Sequence, residues 1–222
     1  MKDKKPLISI ITATHNRANY IIKLYKSLKN QTYNNFEWIL GNDGSTDKTD
    51  KLIKSFIKEK KIKIKYVHSN LRIGKTKIDN ILFPLVSGKY QCYCGSDDYF
   101  DNNALKNMSI LLKKIPKNIK YKFGGIATQC VDENNISQSF FEDKVPKGNI
   151  FMTYEEYNNF VKGDCTNLEC SKFFEKKKFK EVDFLISEST LYNKIFKKKI
   201  ILINPVITKF MRRAPDSISF GK

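Results

Sequence analysis

The sequence predicts an α/β protein built around an open, mostly parallel β-sheet. Residues 7–12, LISIIT, form a short apolar run rich in β-branched side chains. Such a run is typical of a central parallel strand that is buried on both faces. Two further apolar runs, at 36–40 and 62–67, follow with helical periodicity between them. This repetition of strand, loop and helix favours parallel strands joined by right-handed crossovers.

The elements of the first half follow one another in a regular order. A loop at 13–17 follows the first strand, and a helix with apolar residues at helical spacing then extends to about residue 30. Residues 41–47, GNDGSTD, are rich in turn formers and cap the next helix. The remaining predictions are a strand at 62–67, a helix at 75–86 that Pro84 shortens or kinks, a strand at 90–94 and a helix at 103–114.

The loops that follow these strands carry polar residues. Ligands of open parallel sheets bind outside the carboxyl ends of the strands, so we expect these loops to converge at one edge. The residues concerned are Asn16, Arg17, Asp43, Gly74, Lys75, Asp97 and Asp98.

The second half is less regular and predicts a mixed arrangement. The expected elements are a strand at 123–131, a turn at 132–135, a polar segment at 137–150, a helix at 153–161, a loop from Gly163, a strand or helix at 168–174, a helix from Ser187 or Glu188, and closing strands at 200–203 and 206–210. A length of 222 residues fits one large domain, or one and a half small ones, and is enough for a substantial core. The sequence contains no internal repeat and no low-complexity linker.

Asp97 and Asp98 are the strongest candidates for chemistry. They follow an apolar strand that stops at Gly95 and Ser96. Two adjacent carboxylates repel each other, and one would take up a proton unless a cation offsets the repulsion. A divalent metal held by oxygen ligands and shared with substrate phosphates is one such cation. The alternative is a solvated turn in which one aspartate caps the next helix, and the doublet alone does not decide between the two.

The composition is strongly basic, with 41 Lys and Arg against 23 Asp and Glu and a formal net charge of +18. Such a field attracts nucleic acid, anionic lipid headgroups or phosphorylated substrates. A general lysine bias on solvated faces explains most of this charge equally well. Attraction to a membrane surface is therefore a secondary hypothesis.

The five cysteines match no zinc-binding spacing. Cys92 and Cys94 alternate on the predicted fourth strand, so we expect both as small core residues. Free cysteines indicate a reducing compartment. The chain opens without a signal peptide, and no apolar run approaches the roughly 20 residues of a membrane span, so we expect a cytoplasmic protein.

Several stretches, taken in order, resemble the inverting family 2 glycosyltransferases, which have a GT-A fold. SIITATHNR is similar to the family's first strand and loop, and QTYNNFEWILGNDGSTDKT to its second strand and DDGS-type turn. Asn70, Gly74, Lys75 and Asn80 resemble its N-x-G-K-x-x-A-x-N stretch. VSGKYQCYCGSDDYF is similar to the strand that leads to its DxD-type metal site, and 186–188, 203–205 and 216–219 resemble its later motifs.

The resemblance implies one domain with two halves. Residues 1–115 would form a Rossmann-like half that binds the nucleotide-sugar donor, and residues 116–222 a mixed half that binds the acceptor and carries out catalysis. The implied donor is a UDP-sugar, the implied cofactor is Mn²⁺ or Mg²⁺, and the implied acceptor is a saccharide or a lipid-linked molecule of surface polysaccharide or glycolipid synthesis. Peripheral contact with the inner face of an anionic membrane is a further expectation.

The resemblance also assigns roles to individual residues. Asp43 would accept a hydrogen bond from the uracil imide, although an Asx-type turn contact is its ordinary alternative. Asp98 would bind the metal directly, with Asp97 beside it toward the ribose. The other implied donor-binding residues are Thr12, Thr14, Asn16, Arg17, Gly74 and Lys75.

The acceptor hydroxyl needs a general base in line with it. Glu188 stands where the family places an acidic residue at a helix start, and Asp164 is the second candidate. An acid that merely interacts with the helix dipole is an equally good account of Glu188.

Three other functions remain open at this point. A sugar-phosphate nucleotidyltransferase would need a glycine-rich loop after the first strand, and residues 12–17 contain no glycine. A nucleic-acid-binding protein would need clustered basic residues interleaved with exposed aromatics, whereas the lysines are spread along the chain. A protein that binds nucleotide-sugar without turnover would share every donor motif.

Overall fold

The computed structural model describes residues 5–141, 146–181 and 189–212. The strands are β1 (Ile8–Thr14), β2 (Phe36–Asp43), β3 (Ile64–Ser69), β4 (Tyr90–Tyr93), β5 (Tyr99–Phe100), β6 (Phe123–Asp132), β7 (Ser139–Phe141), β8 (Ile150–Thr153), β9 (Val161–Gly163), β10 (Cys165–Cys170) and β11 (Ile200–Met211). The helices are α1 (Ala18–Lys29), α2 (Thr49–Glu59), α3 (Lys75–Leu82), α4 (Ala104–Lys113), α5 (Tyr154–Phe160) and α6 (Ser189–Phe196). No helix in these ranges combines the length and apolar character that crossing a bilayer requires.

One nine-stranded sheet organises the chain. Its order is β3-β2-β1-β4-β10-β6-β11-β5, with β8 paired to β11. The first four of these strands are parallel neighbours. β10 runs antiparallel to both β4 and β6, whereas β11 is parallel to β6. The predicted architecture, a parallel first half continued by a mixed second half, is confirmed.

β1 is apolar on both of its faces, and helices pack against each face. Ile8 and Ile10 pack in a cluster with residues of α1, α2 and α4. Ile11 points to the other face, where it packs with residues of α3 and α6. Cys92 and Cys94 are fully buried in the first cluster, and all five cysteines are free thiols. Their predicted role as small core residues is confirmed.

The second half differs from the prediction in several details. The polar segment 137–150 contains β7, which pairs with β9, and the loop expected from Gly163 is only a junction between β9 and β10. The two closing strands are one strand, β11. Its register shifts after Asn204, and a shift of this kind accommodates Pro205, which has no N–H to donate. The two-residue strand β5, which pairs with β11, was not predicted.

Glu37 joins three strands through a buried carboxylate. It accepts hydrogen bonds from the Ser9 hydroxyl at 2.7 Å and from the Ser87 backbone N–H at 2.9 Å, and it pairs with Lys65 Nζ at 3.1 Å. Burial by itself would raise the pKa of Glu37, but these partners together lower the pKa below its ordinary value.

We expect Glu37→Gln to lower the free energy of unfolding by about 1.5–3 kcal/mol at pH 7, because charge-assisted hydrogen bonds are lost. The contribution of Glu37 is complete above its unfolded-state pKa of 4.5 and disappears as the pH falls through the lowered folded-state pKa. Urea denaturation at pH 7 and in acid checks this. A wild-type advantage that persists unchanged in strong acid would contradict it.

Candidate functional site

The loops that follow β1 and β2 are fastened to each other. The Asn16 backbone lies in the left-handed region, with φ of 50°. Its side-chain oxygen accepts hydrogen bonds from the backbone N–H groups of Thr46, at 2.8 Å, and Asp47, at 3.3 Å. The backbone N–H of Arg17 donates to Thr49 Oγ1 at 3.0 Å. The first two predicted loops therefore meet at the carboxyl edge of the sheet.

Asp43, at the end of β2, fastens the loop that precedes α3. Its Oδ1 accepts a hydrogen bond from the Ile73 N–H at 2.6 Å, and its Oδ2 accepts one from the Gly74 N–H at 3.0 Å. The side chain is buried. These contacts give Asp43 a structural role as a backbone acceptor. Each carboxylate oxygen keeps a second lone pair, so this role does not exclude contact with a nucleotide base.

Gly44 sits where the turn after β2 passes against the loop before α3. Its φ is +63°, and a Cβ at this position would lie 2.3 Å from the Arg72 backbone nitrogen. We expect Gly44→Ala to push the two loops apart, to lower the melting temperature by roughly 3–8 °C and to abolish any stabilisation by UDP. Thermal denaturation with and without UDP checks this.

Gly148→Ala is a matched control, because a Cβ at Gly148 would meet no atom within 4 Å. It should melt like the wild type. A Gly44→Ala variant whose response to UDP equals that of the wild type would contradict the expectation that the two loops bind the donor.

Lys75, the first residue of α3, is held beside the end of β4. Its Nζ lies 2.8 Å from Asp79 Oδ2 and 4.4 Å from the centroid of the Tyr93 ring. The Tyr93 hydroxyl donates to the other oxygen of Asp79 at 3.1 Å. Gly74 precedes the helix with φ of 95°, a conformation that favours glycine. The lysine is thus positioned by a buried carboxylate and does not extend freely into solvent.

The two threonines of the first loop differ in their partners. Thr12 Oγ1 accepts a hydrogen bond from Trp38 Nε1 at 3.1 Å and belongs to the core. Thr14 Oγ1 is buried and has no hydrogen-bond partner among the residues that the structure describes. A buried polar group without a partner costs about 1–3 kcal/mol. Thr14 is therefore the better candidate of the two for contact with a ligand.

Asp98 is already paired with a cation. Its Oδ2 lies 3.1 Å from Nζ of Lys209 on β11, and both side chains are 9% exposed. Its Oδ1 accepts a hydrogen bond from the Arg212 backbone N–H at 3.3 Å. Burial by itself would lower the pKa of Lys209, but the Asp98 carboxylate raises it well above its ordinary value. Lys209 thereby supplies one of the positive charges that the aspartate doublet requires.

Asp97 has a different environment. It is half-buried, and burial followed by the neighbouring Asp98 charge raises its pKa, while the charges of Arg17 and Lys209 act in the opposite direction. β4, which precedes Asp97, is the parallel neighbour of β1, so the loops that follow these two strands leave the sheet at the same end. The fourth predicted loop lies at the same edge as the other three.

Asp97 and Asp98 supply two carboxylates beside Gly95, which is the oxygen chemistry that divalent cations take. A Cβ on Gly95 would lie 2.9 Å from Asp97 Oδ1 and 3.2 Å from Asp98 Oδ2, so a side chain at this position would collide with both carboxylates. Mg²⁺ usually binds through one or two carboxylates together with substrate phosphates. Within the described ranges, no group of three or more His, Cys, Asp and Glu is arranged to hold a metal. The direct metal contact of Asp98 stays a prediction, and its pairing with Lys209 weighs against it.

Of the two candidate bases, Asp164 lies within the residues that the structure describes. Asp164 is exposed at the junction of β9 and β10. Its backbone carbonyl accepts hydrogen bonds from Ser139 Oγ and Cys130 Sγ. Because β10 runs antiparallel to β4, with Cys170 opposite Tyr90, Asp164 lies at the end of the sheet where β4 ends and the doublet follows. Glu188 lies outside the described residues.

The contacts of two residues that help to form the site, Lys209 and Asn80, were not predicted from the sequence. Lys209 was read as part of a closing strand, although a lysine inside the apolar run ITKFM is a signal for a buried ion pair. Asn80 was quoted only as part of a motif. Its side chain donates to the Phe179 carbonyl at 3.0 Å and accepts from the Phe179 N–H at 2.8 Å, so it ties α3 to the second half.

Comparisons with known proteins agree with this geometry. A family model described as glycosyl transferase family 2 matches residues 9–200. A GalNAc(5)-diNAcBac-PP-undecaprenol β-1,3-glucosyltransferase of Campylobacter jejuni is 25% identical over 217 residues, which cover 97% of this chain and 68% of the relative. An uncharacterized glycosyltransferase of Rickettsia bellii is 34% identical over 151 residues, which cover 68% of this chain but only 21% of the relative.

Solved structures share the fold at low identity. The Staphylococcus aureus TarS 1–349 structure in complex with UDP-GlcNAc has a TM-score of 0.76 and 18% identity, covering 97% of this chain and 61% of that one. The Pyrobaculum calidifontis mannosyltransferase PcManGT, in complex with GDP-Man and Mn²⁺, has a TM-score of 0.67 and 16% identity, covering 97% of this chain and 59% of that one. The chain thus spans between about a fifth and two thirds of the relatives it matches. With a family model covering most of its length and a sheet matching GT-A structures, the chain belongs to glycosyltransferase family 2.

Proposed function

We propose that this chain is an inverting glycosyltransferase that moves a sugar from a UDP-sugar to an acceptor hydroxyl. The observation that carries the proposal is the position of four loops, marked by Asn16, Asp43, Gly74 and Asp97, at the carboxyl edge of the parallel sheet in a member of family 2. The TarS complexes with UDP and with UDP-GlcNAc support a uridine donor.

The nucleotide would lie across the fastened loops. Asp43 would accept a hydrogen bond from the uracil imide while it still holds the Ile73 and Gly74 N–H groups. Thr14 would offer its hydroxyl, which has no partner among the described residues. Arg17 and Lys75 would bring positive charge toward the diphosphate, and Asn16 would keep the first two loops in register.

Asp97 would hold Mn²⁺ or Mg²⁺ together with the donor phosphates, and Asp98 would contribute through its ion pair with Lys209. When bound, the metal would stabilise the negative charge that develops on the diphosphate as the sugar–phosphate bond breaks. Lys209 lies beside the same doublet and adds a fixed positive charge to this edge of the sheet.

The acceptor hydroxyl would attack from the opposite face of the sugar and give its proton to a carboxylate base. Glu188 is the first candidate and Asp164 the second. Residues 1–115 would form the donor half and residues 116–222 the acceptor half. The name of the Campylobacter relative supports a lipid-linked saccharide as acceptor, and with it a site of action at the inner face of a membrane.

A thermal-shift panel tests the donor assignment. We expect UDP with Mn²⁺ to raise the melting temperature, and CDP and GDP to do so less, because cytosine and guanine do not present the uracil imide to Asp43. A response to GDP alone would overturn the uridine assignment. Salt-dependent binding of DNA without any response to a nucleotide would favour a nucleic-acid-binding protein instead.

A further inference from the structure

A cavity lies at the end of the sheet opposite the candidate donor site. It has a volume of about 850 Å³, and its lining includes Tyr90 and Phe123, which begin β4 and β6, and Cys170, which ends β10. The donor loops follow the other ends of the parallel strands β1, β2 and β4. A strand of seven residues such as β1 spans roughly 23 Å, so about that distance separates the two ends of the sheet.

The rim of the cavity is cationic. Its lining contains one acid, Glu175, and seven exposed lysines, and none of these lysines forms an ion pair with the residues that the structure describes. They are Lys5, Lys89, Lys120, Lys172, Lys176, Lys177 and Lys178. Two of them, Lys89 and Lys172, lie over aromatic rings, at 5.6 Å and 4.8 Å from the ring centroids. The cavity is therefore complementary to an anion.

The lining is also apolar, which restricts the kind of anion. Phe83, Leu112, Ile115, Phe123 and Phe174 contribute to it. The adjoining segment 172–180, KFFEKKKFK, interleaves lysine with phenylalanine. A nucleic acid backbone or a free phosphate would use the lysines but not the apolar lining. An amphiphile with an anionic headgroup would use both, and basic surfaces with aromatic residues bind anionic bilayers.

We propose that this cavity, with its lysine rim, binds the headgroup of an anionic phospholipid and docks the chain on a negatively charged membrane surface. Lysine ammonium groups would contact the lipid phosphate, and the apolar lining would receive the glycerol and upper acyl region. This deepens the membrane contact named under the proposed function, but it does not depend on sugar transfer. The donor edge would then lie on the side of the protein away from the bilayer, at a distance of roughly the length of the strands from the membrane surface.

Vesicle co-sedimentation with the full chain tests the proposal. We expect binding to phosphatidylcholine vesicles in which about one lipid in three is phosphatidylglycerol, and little binding to pure phosphatidylcholine. The charge-reversal variant Lys176→Glu/Lys177→Glu/Lys178→Glu should bind the anionic vesicles at least about 100-fold more weakly, since each lysine near a bilayer contributes about 1 kcal/mol and the new carboxylates add repulsion. Lys89→Glu/Lys172→Glu, on another part of the rim, should weaken binding as well.

The matched control is Lys48→Glu/Lys51→Glu/Lys162→Glu, which changes the net charge by the same amount at exposed positions that are outside the cavity lining and at the opposite end of the sheet. It should lose less than about threefold in binding. Equal losses in the two triple variants would overturn the proposal in favour of general charge attraction. Loss of DNA binding with unchanged vesicle binding in the cavity variant would overturn it in favour of nucleic acid. An unaltered UDP thermal shift in the cavity variant shows that the donor site is intact, so failure here and failure of the proposed function are distinguishable.

Discussion

Asp98→Ala is expected to lower the free energy of unfolding by about 3–5 kcal/mol. The change would remove the carboxylate that lies 3.1 Å from the buried Lys209 ammonium and would leave that charge without its partner. It would also remove the acceptor of the Arg212 N–H at the end of β11. Urea denaturation of the wild type and the variant measures the loss.

A double variant separates the ion pair from other effects. Asp98→Ala/Lys209→Met replaces both charges, and apolar replacement of a whole buried pair is often neutral. The double variant should therefore be more stable than Asp98→Ala alone. A loss below about 1 kcal/mol in Asp98→Ala would contradict this account, because it would mean that Lys209 finds another counter-ion such as Asp97.

Asp97→Asn is expected to leave the free energy of unfolding unchanged and to reduce the rate of sugar transfer by about 10²–10³-fold. Burial and the Asp98 charge raise the pKa of Asp97, which means that the fold disfavours its charged form. Removing that charge should be neutral or slightly stabilising. The proposed donor site would lose its metal-binding carboxylate, so release of UDP from a UDP-sugar should slow.

Glu155→Gln controls for the loss of a carboxylate elsewhere, because Glu155 is exposed in the first turn of α5. It should keep wild-type transfer and wild-type UDP affinity. Full transfer activity in Asp97→Asn would contradict the assignment of Asp97 to the metal.

The first half could be predicted from local signals. Apolar β-branched runs identified β1 and β2, and helical spacing identified α1 and α2, because each pattern is complete within a few residues. The turn formers at 41–47 and the doublet Asp97-Asp98 marked two of the loops that we propose to bind the donor. The structure brings these loops together through Asn16 and Asp43, the residue types that the motifs contain.

The features that were not predicted depend on contacts between distant parts of the chain. The doublet predicted that a cation lies beside the two carboxylates. Sequence spacing could not show that Lys209, on β11, supplies part of this positive charge. The pairing of β7 with β9 and of β5 with β11 was missed for the same reason, since strands of two or three residues carry too little periodicity to be recognised. Pro205 suggested a break between two strands, whereas a register shift absorbs it within β11.

Calorimetric titration of UDP into the wild type and Asp97→Asn, with and without Mn²⁺, tests most directly whether the carboxyl edge of the sheet is a donor site. The account predicts that the wild type binds UDP more tightly with Mn²⁺ and that Asp97→Asn loses this dependence while it melts like the wild type. UDP binding that responds to neither Mn²⁺ nor Asp97, or no UDP binding at all by the folded wild type, would contradict it.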